Sequence, residues 1–175
     1  MQIEKGDEVT DFAEYVRDID DIFFGSSAKG HFSSDEERLS FREKWLGRYI
    51  LKHRDSFFVA LEAGRAVGYL AGCLEDPTNL DHFKDIGYFS YIDDICQTFP
   101  AHLHVNVAEA YRNRGLGGAL VERFAGWGKL KSVRGLHLVT SSASRSLPFY
   151  RRYGFRDLRT FAWNSDLAVC MGREL

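Results

Sequence analysis

Residues 111–124 read YRNRGLGGALVERF. Gly115, Gly117 and Gly118 fall within four positions, with Arg112 and Arg114 just ahead. Leu116, Leu120, Phe124 and Trp127 follow at a spacing that predicts one apolar face of a helix. Glycine weakens a helix start unless some backbone must be left bare there. A glycine-rich turn between a strand and a helix leaves amide N–H groups without intrahelical partners, at the positive end of the helix dipole. Such a turn holds phosphate, or it merely lets a helix pack closely on a strand. The glycines alone leave both readings open.

Working outward, AHLHVNV (101–107) and GLHLVTS (135–141) read as strands on either side of that helix. The known phosphate motifs fit poorly. No Gly-x-x-x-x-Gly-Lys-Ser/Thr run occurs, which a nucleotide P-loop needs. A dinucleotide fingerprint would put glycine where Leu120 stands, and would not set six residues between the strand and Arg114. Further out, SFFVALE and AVGYLAGCLE predict a hairpin over 56–75. Val9, Phe12, Val16, Ile19 and Phe23 predict an amphipathic helix ending near Gly25. Ser34 and Glu37 have capping-box spacing and open a second helix, with Leu39, Trp45, Leu46, Tyr49 and Ile50 on its apolar face. A short helix near 79–85 followed by irregular chain is expected over 76–100. A short helix stopped by Gly154 and two closing strands joined at Asn164–Ser165 complete the chain. The order is that of one mixed α/β domain, residues 1–175, with a central sheet.

The run VAEAYRNRGLGGALV resembles the acetyl-CoA-binding motif of the GNAT acetyltransferases, Gln/Arg-x-x-Gly-x-Gly/Ala after a strand ending in Val. Here it is Arg112-Asn-Arg-Gly115-Leu-Gly117, the first glycine eight residues beyond Val107. Glu109 stands where that family often has proline. FYRRYGF (149–155) resembles the family's Tyr-x-x-x-Gly-Phe element and follows a strand and a serine-rich turn. The resemblance covers about residues 101–157 and is softer over the hairpin. FPAHLHVNV (99–107) is also similar to GNAT-like domains appended to some O-GlcNAc hydrolases.

That resemblance implies a GNAT fold, a central twisted mixed sheet flanked by helices. It implies acetyl-CoA as acyl-donor co-substrate and acetyl transfer to a primary amine within a ternary complex. Amides from Arg114 through Gly115, Leu116, Gly117 and Gly118 to Ala119 would hold the diphosphate, with cationic help from Arg112 and Arg114. Pantetheine would pair with backbone near Val105 and Val107. Tyr150 falls on the family's tyrosine position, where a phenol gives its proton to the leaving thiolate. The other reading of Tyr150, less favoured, is an aromatic packed beside Phe149 and Phe155.

A base must also take the amine's proton. His102, His104 and Asn106 share one face of their strand, and imidazole titrates in a useful range. His104 or His102 is the first choice and Asp93 or Asp94 the second; all four also have purely structural readings. The acceptor wall is expected from 25–33 and 76–100. There Tyr91, Asp93 and Asp94 stand among other acids and aromatics suited to a cationic amine, small or peptidic. A solvated acidic loop reads the same way.

Composition sets the outer bounds. The 175 residues are 45% apolar and 14% aromatic, enough for a packed core. A net charge of −2 without a basic run argues against nucleic acid. Nothing approaches the ~18 apolar residues of a membrane span. Cys73, Cys96 and Cys170 are scattered, as for reduced thiols in the cytoplasm. No metal-ligand spacing occurs and no metal is expected. A homodimer is compatible with the family's habits. Two other functions stay open: a non-catalytic acyl-CoA-binding or sensing module, and a protein-interaction domain without cofactor.

Overall fold

A computed structural model describes residues 1–27 and 29–175. Seven strands form one mixed sheet in the order β1-β2-β3-β4-β5-β7-β6. The chain divides into two compact units, Met1–Gly72 with His104–Phe124, and Cys73–Leu103 with Ala125–Leu175. Helices accompany the strands in both, which is the mixed α/β class expected.

The first unit begins with β1 (Gln2–Lys5), antiparallel to β2 (Phe57–Glu62) from Gln2–Leu61 to Lys5–Phe58. This strand was not expected: four polar-rich residues at a sheet edge carry too little alternation to read. A 3-10 turn at Phe12–Tyr15 leads into α1 (Val16–Ser26), which buries Ile19, Ile22 and Phe23. Helix α2 (Asp35–Arg42) runs through a π turn at Glu43–Gly47 into α3 (Arg48–Lys52). Its capping is one residue out of step with the box predicted. Ser34 Oγ accepts the Glu37 N–H at 3.1 Å, but the Glu37 carboxylate reaches back to the N–H and O–H of Ser33, at 2.6 and 2.7 Å.

The hairpin of β2 and β3 (Arg65–Cys73) turns at Ala63 and Gly64, both left-handed (φ 50° and 73°), the turn whose twist suits two strands. Asp18 ties α1 to β3. Its buried carboxylate accepts from Arg65 Nε and from the Ala66 amide at 2.9 Å, and the Arg65 hydrogen bonds hold it below the usual carboxylate range. Strand β4 (Ala101–Val107) passes from the second unit into the first, and α5 (Leu116–Leu130) starts there. Leu116, Leu120 and Phe124 are buried as their spacing predicts. A Cβ on Gly68 would stand 3.3 Å from the Leu116 side chain, and one on Gly72 would collide with the Phe124 ring. Two glycines on β3 therefore set how closely α5 lies on the sheet.

In the second unit, the helix expected near 79–85 is replaced by 3-10 turns at Pro77–Asn79, Asp81–Phe83 and Gly87–Tyr91, followed by α4 (Asp93–Thr98). The reason is a period of three. Phe83, Ile86, Phe89 and Ile92 are all buried, and the amides of Ile86, Phe89 and Ile92 each donate to the carbonyl of the buried residue three places earlier, at 2.9, 3.2 and 3.1 Å, so the chain runs here as successive closed turns with a break from helical geometry at Ile86 (ψ 85°). Strand β5 (Gly135–Ser141) pairs in parallel with β4 through Ala101–Leu136 and His102–His137. Helix α6 (Leu147–Arg152) carries Pro148 at its start and ends at Gly154, φ 82°. Strands β6 (Arg156–Trp163) and β7 (Asp166–Glu174) form an antiparallel hairpin, and β7 pairs antiparallel with β5.

Candidate functional site

In the first unit the chain leaves β4 at Val107 and stays beside β3, the Ala108 N–H donating to the Val67 carbonyl at 3.0 Å. A 3-10 turn at Glu109–Tyr111 follows. Arg112 is extended, Asn113 left-handed at φ 61°, and Gly115 left-handed at φ 81°. Helix α5 then starts, with the Gly115 carbonyl accepting the Ala119 N–H at 3.0 Å. The amides of Leu116, Gly117 and Gly118 consequently have no backbone acceptor among the described residues. Three consecutive N–H groups at the positive end of a 15-residue helix are of the kind that can receive an anion. Ala119, the last of the six amides expected from Arg114 onward, has its N–H committed to the helix's first bond.

The two arginines differ. Arg112 Nε donates to the Val107 carbonyl at 3.1 Å and Nη2 to Ser26 Oγ at 3.4 Å, so this guanidinium braces the loop against the end of β4 and of α1. Arg114 lies over the Tyr111 ring, 5.4 Å from its centroid. The Tyr111 hydroxyl is hydrogen-bonded to Glu62, which raises its pKa. Of the pair, Arg114 has the side chain less tied to backbone.

His104 packs edge-on to Tyr49 and Tyr69, at 5.1 and 5.9 Å. Its Nε2 is buried with no hydrogen-bond partner among the described residues, and burial pushes the imidazole down to about 4. Asn106 on the same strand face donates to the Tyr69 hydroxyl at 2.8 Å. Val105 and Val107 alternate with them and are half-buried. Tyr49 and Tyr69 escaped sequence reasoning. Both are apolar-phase residues of their elements, and nothing local marks them as neighbours of a strand histidine.

His102 belongs to the second unit and to different surroundings. Its ring meets Phe83 at 4.8 Å, Phe89 at 5.5 Å and His137 at 5.6 Å, deep in an aromatic cluster. Tyr150 is buried between Phe149 and Phe155, at 5.1 and 5.8 Å, and burial raises its phenol to about 12. Its hydroxyl bonds to no described residue. The serine-rich turn before α6 is self-bonded: Ser144 Oγ accepts the Ser146 N–H at 3.2 Å and lies 2.7 Å from Ser146 Oγ.

In the second unit the acids and aromatics of residues 76–100 are partly paired. Asp94 is clamped by both terminal guanidinium nitrogens of Arg159 at 2.7 Å, and this hydrogen bonding holds its carboxyl low. Asp93 is exposed and accepts the Asp94 N–H at 2.8 Å. The half-exposed Tyr91 ring stacks on Phe161 at 5.3 Å and meets Trp163 edge-on at 6.0 Å. No helix among the described residues is long and apolar enough to cross a membrane.

Comparison with known proteins bears on these observations. The model of the acetyltransferase (GNAT) family matches residues 14–155. The solved structure of SsHAT superposes with a TM-score of 0.74 at 19% identity, covering 99% of this chain and 97% of that one. An agmatine N-acetyltransferase gives 0.69 at 14%, covering 99% of each chain. The ribosomal-protein-alanine N-acetyltransferase from Brucella melitensis gives 0.65 at 18%, covering 100% of each. At these identities the likeness is one of fold. No curated protein matches the sequence significantly.

Proposed function

The chain belongs to the acetyltransferase (GNAT) family, and from that premise we propose that residues 1–175 work as one acetyl-CoA-dependent N-acetyltransferase acting on a primary amine. The observation that carries this reading is the run of three unbonded amides, Leu116 to Gly118, behind two left-handed residues. They suit a diphosphate, which they would hold together with Arg114, while Arg112 keeps the loop in register with β4. Backbone near Val105 and Val107 would pair with the pantetheine arm.

Acetyl-CoA, when bound, supplies the acetyl group as a thioester. The acceptor nitrogen forms a bond to the acetyl carbon, and the carbon–sulfur bond breaks. His104 Nε2 takes the proton the amine must lose, directly or through a water. Its depressed basicity keeps the ring neutral, hence able to accept, at any pH above about 4. Tyr150, raised to about 12, stays a phenol and is the proton donor for the departing sulfur. His102 has the weaker claim because of its aromatic enclosure. Tyr91 and Asp93 would border the acceptor, and Asp94 would orient the wall through Arg159. The thiols of Cys73, Cys96 and Cys170, all buried, suit a cytoplasmic setting.

The low basicity of His104 favours one competing reading, an acyl-CoA-binding module without turnover. Two measurements decide. Calorimetry with coenzyme A should give saturable binding that Gly117→Glu abolishes, since a carboxylate would enter the anion receptor. An amine panel followed by release of free coenzyme A should show turnover. No heat at millimolar coenzyme A refutes both readings; binding without turnover on any amine refutes the enzyme.

A further inference from the structure

Four phenylalanines form a continuous ring cluster where α1 and the following loop meet α2. Phe23 contacts Phe24 and Phe41 at 5.0 and 5.5 Å, and Phe32 contacts Phe24 and Phe41 at 5.7 and 5.3 Å. The chain's own Lys29 lies on this cluster. Its ammonium stands 5.2 Å from the Phe32 centroid and 5.9 Å from that of Phe41, and it is ion-paired with Glu37. Two ring faces and one carboxylate around an ammonium are the elements of a cation receptor.

Three details distinguish this from an ordinary surface ion pair. The Glu37 carboxylate is also held by the Ser33 N–H and O–H, so its orientation does not depend on Lys29. The Lys29 side chain is 39% exposed, so the ammonium keeps much of its water and is displaceable. Ser26, at the end of α1, accepts a hydrogen bond from Arg112, so the segment carrying Lys29 starts out beside the arginine that braces the glycine loop.

We propose that Phe32, Phe41 and Glu37 form a recognition box for an alkylammonium group of the acceptor, and that Lys29 fills it until an acceptor displaces it. This rests on the amine-acetylation reading above. Its chemistry narrows the substrate class. A nitrogen that attacks a thioester must be neutral, whereas this box holds a charged one. The acceptor therefore carries two basic nitrogens, one anchored and one reacting: a diamine, a polyamine or a doubly basic peptide end. Lys29 makes the box self-inhibited, raising the acceptor concentration needed for occupancy.

The test needs no acyl donor. n-Butylammonium is titrated into the full chain while the phenylalanine ring resonances are followed by NMR. Lys29→Ala should bind it about tenfold more tightly than the parent. Lys29→Gln, which keeps the stem, should show the same gain. Adding Glu37→Gln to Lys29→Ala should remove it, and n-butanol should show no gain in any variant. Equal affinity in the parent and Lys29→Ala overturns the proposal, as does a gain that survives Glu37→Gln. Coenzyme A calorimetry on Lys29→Ala separates the two readings. Coenzyme A binding without the amine gain refutes the box alone; the amine gain without coenzyme A binding upholds the box and refutes acyl transfer.

Discussion

His137 offers a measurement that isolates one buried group. It is 1% exposed, its Nδ1–H donates to the Phe99 carbonyl at 2.5 Å, and its Nε2 lies 3.7 Å from Cys96 Sγ. With the proton on Nδ1, the Cys96 S–H is the donor to Nε2, and a second ring proton would have no acceptor there. Burial, opposed more weakly by the Phe99 bond, lowers the imidazole from 6.5 to about 4. The unfolded chain therefore takes up this proton first as pH falls. Stability is full above about pH 6.5, declines as pH drops toward 4, and stops declining once both states are protonated. The difference corresponds to about 3 kcal/mol, at most ~1.4 kcal/mol per pH unit. The perturbation is His137→Gln, which does not titrate. Urea unfolding followed by circular dichroism at pH 7, 6, 5 and 4 gives the comparison. The variant should be weaker at pH 7, and its deficit should shrink by about 3 kcal/mol by pH 4. Parallel curves for the two proteins would refute the argument, because they would mean that His137 titrates alike folded and unfolded.

Tyr150→Phe should lower kcat by about 10²-fold while leaving the KM for acetyl-CoA within about twofold; an unchanged kcat removes the tyrosine from proton transfer. The pH–rate profile should show no inflection at the ordinary histidine value, because His104 is already neutral there. His104→Ala should lower the plateau instead, and an inflection near 6.5 that vanishes in the variant would contradict the buried environment. Gly72→Ala should cost about 1–3 kcal/mol of stability in thermal melts, because the new methyl meets the Phe124 ring. Adding Phe124→Leu should recover part of that loss, and a melt identical to the parent's would mean α5 does not press on β3.

The parts legible in the sequence are those whose signal is local. The hairpin over 57–73, strand β4, the glycine loop and α5 each carry a period or a turn residue that acts over a few positions. Strand β1 escaped because QIEK alternates too little and its partner lies across some fifty residues. The environments of His102 and His104 escaped for a different reason. Their common face was readable, but the rings that enclose them come from Phe83 and Phe89 in one case and from Tyr49 and Tyr69 in the other. Asp94 was read as an available anion because its partner Arg159 is 65 residues away. The bond from Arg112 to the Val107 carbonyl is not legible without the turn between them.

The buried series Phe83, Ile86, Phe89 and Ile92 is a chain of closures, each later anchor's amide tied to the carbonyl of the one before, with the backbone leaving helical geometry at Ile86. Deleting or inserting one amino acid between two neighbouring anchors would undo the single closure that joins them while the others stay tied, so the damage should stay local.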